Sequence, residues 1–318
     1  MPATKTDNLL FSRGLRENMN ATAASPFQQA GGHRHISTRY DASHGALWVF
    51  LCPDHRACFS FELLEDLRWF QRGIEAFAMR DERERGPLRY VILASSTPGV
   101  FNFGGDLSLF ARCVKEFDAD TLRKYAIACI DVIYHHIVGY GLPLTTISLV
   151  QGDALGGGFE AALSSDVLVA ERRALMGFPE VLFNLFPGMG AYNLLLRRIG
   201  VLQTEKALMS GKMFRAEELH AKGLVDILAE DGAGERTVYE FIVRQAGKDR
   251  AAAGIHQVRR RLAPVRYEQM LEVAEIWVDT ALRMGPRELR MMEKLVRAQE
   301  RVAVLPARQE AADFPPAR

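Results

Sequence analysis

The apolar positions of this chain follow two rhythms. Leu63, Leu64, Leu67, Phe70, Ile74 and Phe77 recur at intervals of three and four, which predicts an amphipathic helix over Phe61–Met79. The same spacing predicts a helix over Leu122–Ile137. Short unbroken apolar runs stand between them. Gly45–Cys52, Arg89–Ala94, Leu144–Val150 and Asp166–Ala170 read as buried strands, with a shorter one over Ala174–Phe178. Further helices are predicted over Gly158–Leu163, Tyr192–Ile199, Gln203–Ser210 and Ala216–Lys222, with stops at Gly200, Gly211 and Gly223. A strand over Leu224–Leu228 follows. Val238–Val302 is almost wholly helical in pattern. Strands alternating with helices, then helices alone, imply an α/β fold with a helical C-terminal region.

The ends differ from this core. Residues 1–35 are polar, poor in aliphatics and broken by Gly31 and Gly32, which predicts a flexible N-terminal arm. The expected organisation is that arm, a core domain over 36–235, a helical region over 236–302 and a tail over 303–318. His33 and His35 are too isolated to mark a metal site, and no metal is expected.

Composition narrows the functional classes. The 318 residues carry a net charge of +1 and are 48% apolar, so nothing points to nucleic acid or a polybasic membrane anchor. Arg259–Arg261 reads as a solvated helix face in preference to a phosphate site. Cys52, Cys58, Cys113 and Cys129 lack metal or redox spacing and read as inert reduced thiols. With no apolar leader and no run long enough to span a bilayer, a cytoplasmic protein is expected.

Two glycine-rich turns follow apolar strands. One is Val100-Phe-Asn-Phe-Gly-Gly-Asp-Leu107; the other is Gln151-Gly-Asp-Ala-Leu-Gly-Gly-Gly-Phe-Glu160. The second opens a helix, whose unpaired N–H groups and dipole favour negative charge. It fits neither a phosphate-binding loop nor a dinucleotide fingerprint. Turns leaving strand ends on one side of an α/β sheet can converge on one site. Two backbone N–H groups aimed at one point would stabilise an oxyanion. Glu160 lies in a first helical turn, where a carboxylate also serves as a simple cap. Glu180 lies among apolar residues, where desolvation raises a carboxyl pKa. Its structural alternative is a buried acid paired with Arg172 or Arg173. Two carboxylates around one substrate supply the two proton transfers of hydration or dehydration.

Leu149–Gly190, with its Gly-Gly-Gly-Phe-Glu helix start and its Pro-Glu…Pro-Gly-Met-Gly loop, resembles the crotonase (enoyl-CoA hydratase/isomerase) superfamily. Phe103-Gly-Gly-Asp-Leu107 matches that superfamily's other oxyanion loop. Within it the chain is most similar to the bacterial diffusible signal factor synthases, on Val100–Phe110, Leu149–Leu163, Gly177–Tyr192 and Glu275–Ala281. The resemblance implies a spiral of ββα units, a homotrimer, and no cofactor beyond an acyl group carried on acyl carrier protein or coenzyme A. It implies that Gly105 and Gly157 form the oxyanion hole and that Glu160 and Glu180 are the acid/base pair, without deciding which is acid and which is base. Leu155, Gly156, Met189 and Trp277 would bind the acyl substrate, although Trp277 is equally readable as helix core. The implied activity is dehydration of a 3-hydroxyacyl thioester followed by thioester hydrolysis, giving a cis-2-unsaturated fatty acid. The receiver domain of a sensor kinase is the implied partner. Two other readings stand beside it: a trans-2-enoyl-CoA hydratase, and a non-catalytic binding module on the same scaffold. The first loop departs from the Ala-Gly-Ala-Asp of many relatives, so the extra freedom at Gly105 must be removed by its neighbours.

Overall fold

The computed structural model describes residues 34–54, 56–80 and 86–303. Nearly all of the 1–35 arm and all but the first residue of the 303–318 tail lie outside them. Among the described residues, ten strands divide between two sheets. The larger runs β1 (Ile36–Asp41), β2 (Ala46–Leu51), β3 (Tyr90–Ser95), β5 (Thr145–Val150), β7 (Val167–Glu171) and β10 (Ile227–Ala229), in that spatial order. The smaller runs β4 (Val100–Asn102), β6 (Asp153–Leu155), β8 (Leu175–Gly177) and β9 (Met213–Arg215). Pairing is parallel except at the β1–β2 hairpin and at β8–β9.

Three successive turns of chain give a longer strand to the first sheet and then a short one to the second: β3 then β4, β5 then β6, β7 then β8. This is the ββα spiral that the resemblance implies. It carries three consecutive loops to one side of the molecule, because parallel strands all end in the same direction. β3, β5 and β7 are buried along their whole length, so their apolar runs are continuous and do not alternate.

The helices follow the predicted periodicity. α1 (Phe61–Ala78) is capped by Ser60, whose side chain accepts the Leu63 N–H, and it buries Leu63, Leu64, Leu67, Phe70, Ile74 and Phe77. α2 (Leu107–Glu116) and α3 (Ala119–Ile137) follow β4, and α4 (Gly157–Leu163) follows β6. α5 (Ala191–Ser210) is broken at Gly200, which has φ 72° and ψ 171°. It therefore forms two helical pieces, as the glycine stop predicted. After α6 (Ala216–Ala221), the C-terminal region is four helices: α7 (Gly234–Gln245), α8 (Asp249–Leu262), α9 (Tyr267–Leu282) and α10 (Pro286–Ala303).

Several expectations need correction. The sequence pattern did not announce α2, nor the strands β1, β4, β6 and β9. Three of those strands have only three residues, too few to show a period. The strand expected over Leu224–Leu228 starts at Ile227, because the Asp226 carboxylate accepts the Leu168 N–H where a ladder bond would otherwise form. The apolar positions of α9 do not all face inward: Val278 is buried and Ile276 is exposed. Among the described residues, no helix is long and apolar enough to cross a membrane.

Arg259–Arg261 is not simply a solvated face. Arg259 reaches Asp166 Oδ1 at 2.7 Å and Arg260 reaches Oδ2 at 2.5 Å, while the Thr146 N–H donates to Oδ2 at 3.0 Å. Asp166 is buried at the start of β7, so these contacts tie α8 to the sheet. Burial by itself would raise the Asp166 pKa. Arg260, then His256, the Thr146 N–H and Arg259 outweigh it and hold the carboxyl below its ordinary value.

Removing this carboxylate leaves two guanidinium groups over an emptied pocket. Asp166→Ala should destabilise the protein by about 3–5 kcal/mol in denaturant titration. Because the folded-state pKa is depressed, the ionised form's contribution is present above the unfolded value and is lost as pH falls through the folded one. The gap between wild type and variant should therefore shrink at low pH.

Candidate active site

Two loops that are distant in sequence meet at backbone level. A Cβ on Gly104 would lie 2.7 Å from the Leu155 carbonyl oxygen and 2.8 Å from the Gly157 nitrogen, and Gly104 has φ +90°. No other residue fits there, since both the space and the dihedral exclude a side chain. The β4–α2 loop and the β6–α4 loop therefore stand in direct backbone contact.

This contact and its surrounding bonds orient two N–H groups. The Gly104 carbonyl accepts the Phe59 N–H at 2.8 Å. A trans peptide is planar, so the Gly105 N–H of the same unit points the opposite way, away from Phe59. The Gly156 carbonyl accepts the Phe159 and Glu160 N–H groups at 2.9 and 3.0 Å, as the start of the α4 ladder. The Gly157 N–H consequently points out of the helix N-terminus. Neither amide donates to any described residue. Gly105 and Gly157 both line one cavity of about 410 Å³.

The missing side chain at position 105 has a local cause. A Cβ there would come within 2.5 Å of Phe110 Cζ. That ring is itself wedged edge-on against Tyr125 and Trp277, with centroids 5.2 and 4.9 Å away. Glycine at 105 thus makes room for an aromatic wall.

The two carboxyl groups come from the next two turns of the spiral. Glu160, in the first turn of α4, is 1% exposed, and its Oε1 accepts the Met189 and Ala191 N–H groups at 2.8 Å each. It is more than a cap for its own helix, because it also organises the loop that opens α5. Glu180 begins a 3-10 turn (Glu180–Phe183) just after β8. Its Oε1 lies against the backbone of Gly156, where a Cβ would be only 2.2 Å away. Its Oε2 is buried without a hydrogen-bond partner.

An arginine partner for Glu180 is ruled out among the described residues. Arg172 pairs with Glu217 and Glu230, and Arg173 faces Glu171 at 4.0 Å. Burial raises the Glu160 pKa to about 7 against the partial relief of its two N–H donors. Burial and then the charge of Glu160 raise Glu180 to about 8. Two such groups hold one proton between them near neutrality, so one acid and one base coexist in the cavity.

All eight residues singled out from sequence border this cavity: Gly105, Leu155, Gly156, Gly157, Glu160, Glu180, Met189 and Trp277. Trp277 fits both of its readings, being 5% exposed and also part of the wall. Phe110, Tyr125, Cys129 and Leu295 also line the cavity and were not singled out as site residues. Their sequence signal is ordinary helix periodicity, which does not separate a pocket wall from a core. Cys129 enters the cavity as a protonated thiol, since burial pushes its pKa well up. Cys58 is likewise pushed up to about 12 by burial. Neither serves as a nucleophile at neutral pH. Among the described residues, no three His, Cys, Asp or Glu side chains stand together to hold a metal ion.

The coupling between the carboxyls is measurable directly. Glu160→Gln keeps an acceptor for the Met189 and Ala191 N–H groups but removes the charge facing Glu180. The titration of Glu180 should then move below about 8, read by difference infrared spectroscopy of the carboxyl band. An unmoved band would show that the two groups do not sense each other.

Comparisons with known proteins agree with this fold. The sequence profile described as Enoyl-CoA hydratase/isomerase matches residues 74–254. The fold is similar to a crystal structure of enoyl-CoA hydratase from Bacillus halodurans, with TM-score 0.69 and 24% identity over 82% of this chain and 99% of that one. It is also similar to human mitochondrial delta3-delta2-enoyl-CoA isomerase, with TM-score 0.68 and 20% identity over 83% and 98% of the two chains. A putative polyketide biosynthesis enoyl-CoA hydratase from Bacillus subtilis gives TM-score 0.62 and 18% identity over 84% and 98%. With a profile match over more than half its length, the chain belongs to the enoyl-CoA hydratase/isomerase family of acyl-thioester enzymes.

Proposed function

We propose that the protein dehydrates a 3-hydroxyacyl thioester and then hydrolyses the thioester to release a cis-2-unsaturated fatty acid. The observation that carries the first step is the pair Glu160 and Glu180, which share one apolar cavity with pKa values raised to about 7 and about 8. A family member that only polarises a thioester needs no such pair. Elimination of water needs both a base and an acid at the same moment.

The thioester carbonyl oxygen accepts the Gly105 and Gly157 N–H groups. As the C2 proton passes to one carboxylate, charge grows on that oxygen. A lost donor of this kind costs about 3–4 kcal/mol of transition-state stabilisation. The C3–O bond breaks as the second carboxyl gives its proton to the hydroxyl, which leaves as water. The two carboxyls titrate close together, at about 7 and about 8, so the proton can sit on either. That near balance suits addition and removal of water alike. For hydrolysis, a water deprotonated by one carboxylate adds to the polarised carbonyl. The C–S bond then breaks and the thiol of acyl carrier protein or coenzyme A leaves with a proton. The unpartnered Oε2 of Glu180 supports a water held at this point.

The cis free acid rests on the likeness of Val100–Phe110, Gly177–Tyr192 and Glu275–Ala281 to the signal synthases. The alternative product, a trans-2-enoyl-CoA equilibrated with its hydrate, is favoured by the names of the similar solved structures. Product analysis by mass spectrometry and chromatography separates the two.

Glu160→Ala and Glu180→Ala, each given 3-hydroxydodecanoyl carrier protein, should lose about 10²–10⁴-fold in rate. Release of cis-2-enoic acid at the wild-type rate by both variants would remove the acid/base pair from the mechanism.

The wild-type rate should follow a bell-shaped pH profile with its maximum between about 7 and about 8. Below that window both carboxyls are protonated and no base remains. Above it both are ionised and no acid remains. A profile flat from pH 6 to 9 would contradict this assignment.

A further inference from the structure

Tyr125 stands on α3 with its ring in the cavity wall and its hydroxyl turned behind the first glycine loop. That hydroxyl donates to the Phe59 carbonyl and accepts the Asp106 N–H at 3.1 Å. It thereby bridges the segment before α1 and the loop before α2. The same two stretches are joined by Phe103 N–H to the Ala57 carbonyl at 2.6 Å and by Phe59 N–H to the Gly104 carbonyl at 2.8 Å. On the loop itself, Asn102 Oδ1 accepts the Gly104 N–H at 2.7 Å.

These bonds bracket the peptide that carries the Gly105 N–H. The peptide before it is held by Asn102. The carbonyl of its own unit is held by the Phe59 N–H. The peptide after it is held by Tyr125. Gly105 has no side chain to restrict its dihedrals, so the direction of its N–H depends on these anchors. Among the described residues, Tyr125 is the only side chain that bonds the N–H of the peptide following Gly105. Its own position is over-determined: Phe61 and Phe110 pack edge-on at 5.3 and 5.2 Å, and it is 2% exposed. Asp106 does not substitute for it. That carboxylate is committed to capping α2 at Ser108 and Leu109 and to pairing with Arg56.

We propose that Tyr125 is a positioning residue that aims the Gly105 N–H at the thioester oxygen through its bond to the Asp106 N–H. The inference rests on the oxyanion role given to Gly105 in the proposed function. It adds a specific prediction: the tyrosine hydroxyl stabilises the enolate while touching neither carboxyl nor substrate oxygen. Hydrogen-bond donors of this type act only when held at about 2.7–3.1 Å from the developing charge, so small misplacements are costly.

The test uses a 3-ketoacyl thioester, whose enolate has its own ultraviolet band. A working oxyanion hole ionises the bound ligand at a pH where the free ligand is neutral. Wild type should show the band on binding. Tyr125→Phe should keep the ligand affinity of the neutral form within about threefold, while the ionisation constant of the bound ligand falls about tenfold or more. The kcat should drop by a similar factor with KM nearly unchanged, and the limbs of the pH profile should stay in place, because both carboxyls are untouched. Amide exchange at Asp106 should quicken. If wild type itself shows no enolate band, the oxyanion role of Gly105 and Gly157 fails. If wild type shows it and Tyr125→Phe shows it equally, the role given to Tyr125 fails alone. Should Tyr125→Phe not fold, Phe61→Leu loosens the same ring from a 40% exposed position, and an undiminished enolate band there would overturn the inference.

Discussion

The backbone contact between Gly104 and Gly157 is the constraint on which the site depends. It joins the ends of two strands of the smaller sheet with no side chain between them. From that contact, peptide planarity fixes where the flanking N–H groups point. Hydrogen bonds from Phe59, Asn102 and Tyr125 on one side, and the α4 ladder on the other, remove the freedom glycine would otherwise bring. A loop built from the most flexible residue type thus becomes rigid through its neighbours. The room that a side chain at Gly105 would take is filled by the Phe110 ring.

The carboxyl pair follows a related logic. Among the described residues, neither Glu160 nor Glu180 has a cationic partner, and both pKa values are raised chiefly by burial. Such groups oppose folding above the ordinary carboxylate range, where the unfolded chain ionises freely and the folded chain does not. The fold tolerates this because the surrounding sheet and helices bury so much apolar surface. Elsewhere the same chain treats a buried acid in the opposite way. Asp166 is met by Arg259, Arg260 and the Thr146 N–H, and its pKa falls. One acid is arranged to hold α8 against the sheet, while the others stay unpaired by any cation among the described residues.

The C-terminal helices link the two regions. α8 is tied to the sheet through Asp166, while α9 and α10 contribute Trp277 and Leu295 to the cavity wall. Trp277 packs edge-on against Phe110, which fills the space beside Gly105. A chain of aromatic contacts therefore runs from the helical region to the first loop, and the acyl wall and the N–H donor share one packing arrangement.

Much of this was legible in sequence because it is local. The spacing of Leu63 to Phe77 specified α1, the continuous runs specified β3, β5 and β7, and Gly200 marked a real break in α5. The two glycine turns and the two glutamates carried enough pattern to be singled out. Other features were silent because they are long-range. Three-residue strands have no period, so the second sheet exists only through its pairing. Phe110, Tyr125 and Leu295 carried no signal that set them apart, and only the folded cavity gathers them into one wall. The arginine run looked solvated, since the buried carboxylate it serves lies some ninety residues away. Sequence determined which residues could do the chemistry, because residue type and local spacing carry that information. Tertiary structure decided where their N–H groups and carboxyls point, because direction and desolvation come from what packs against them.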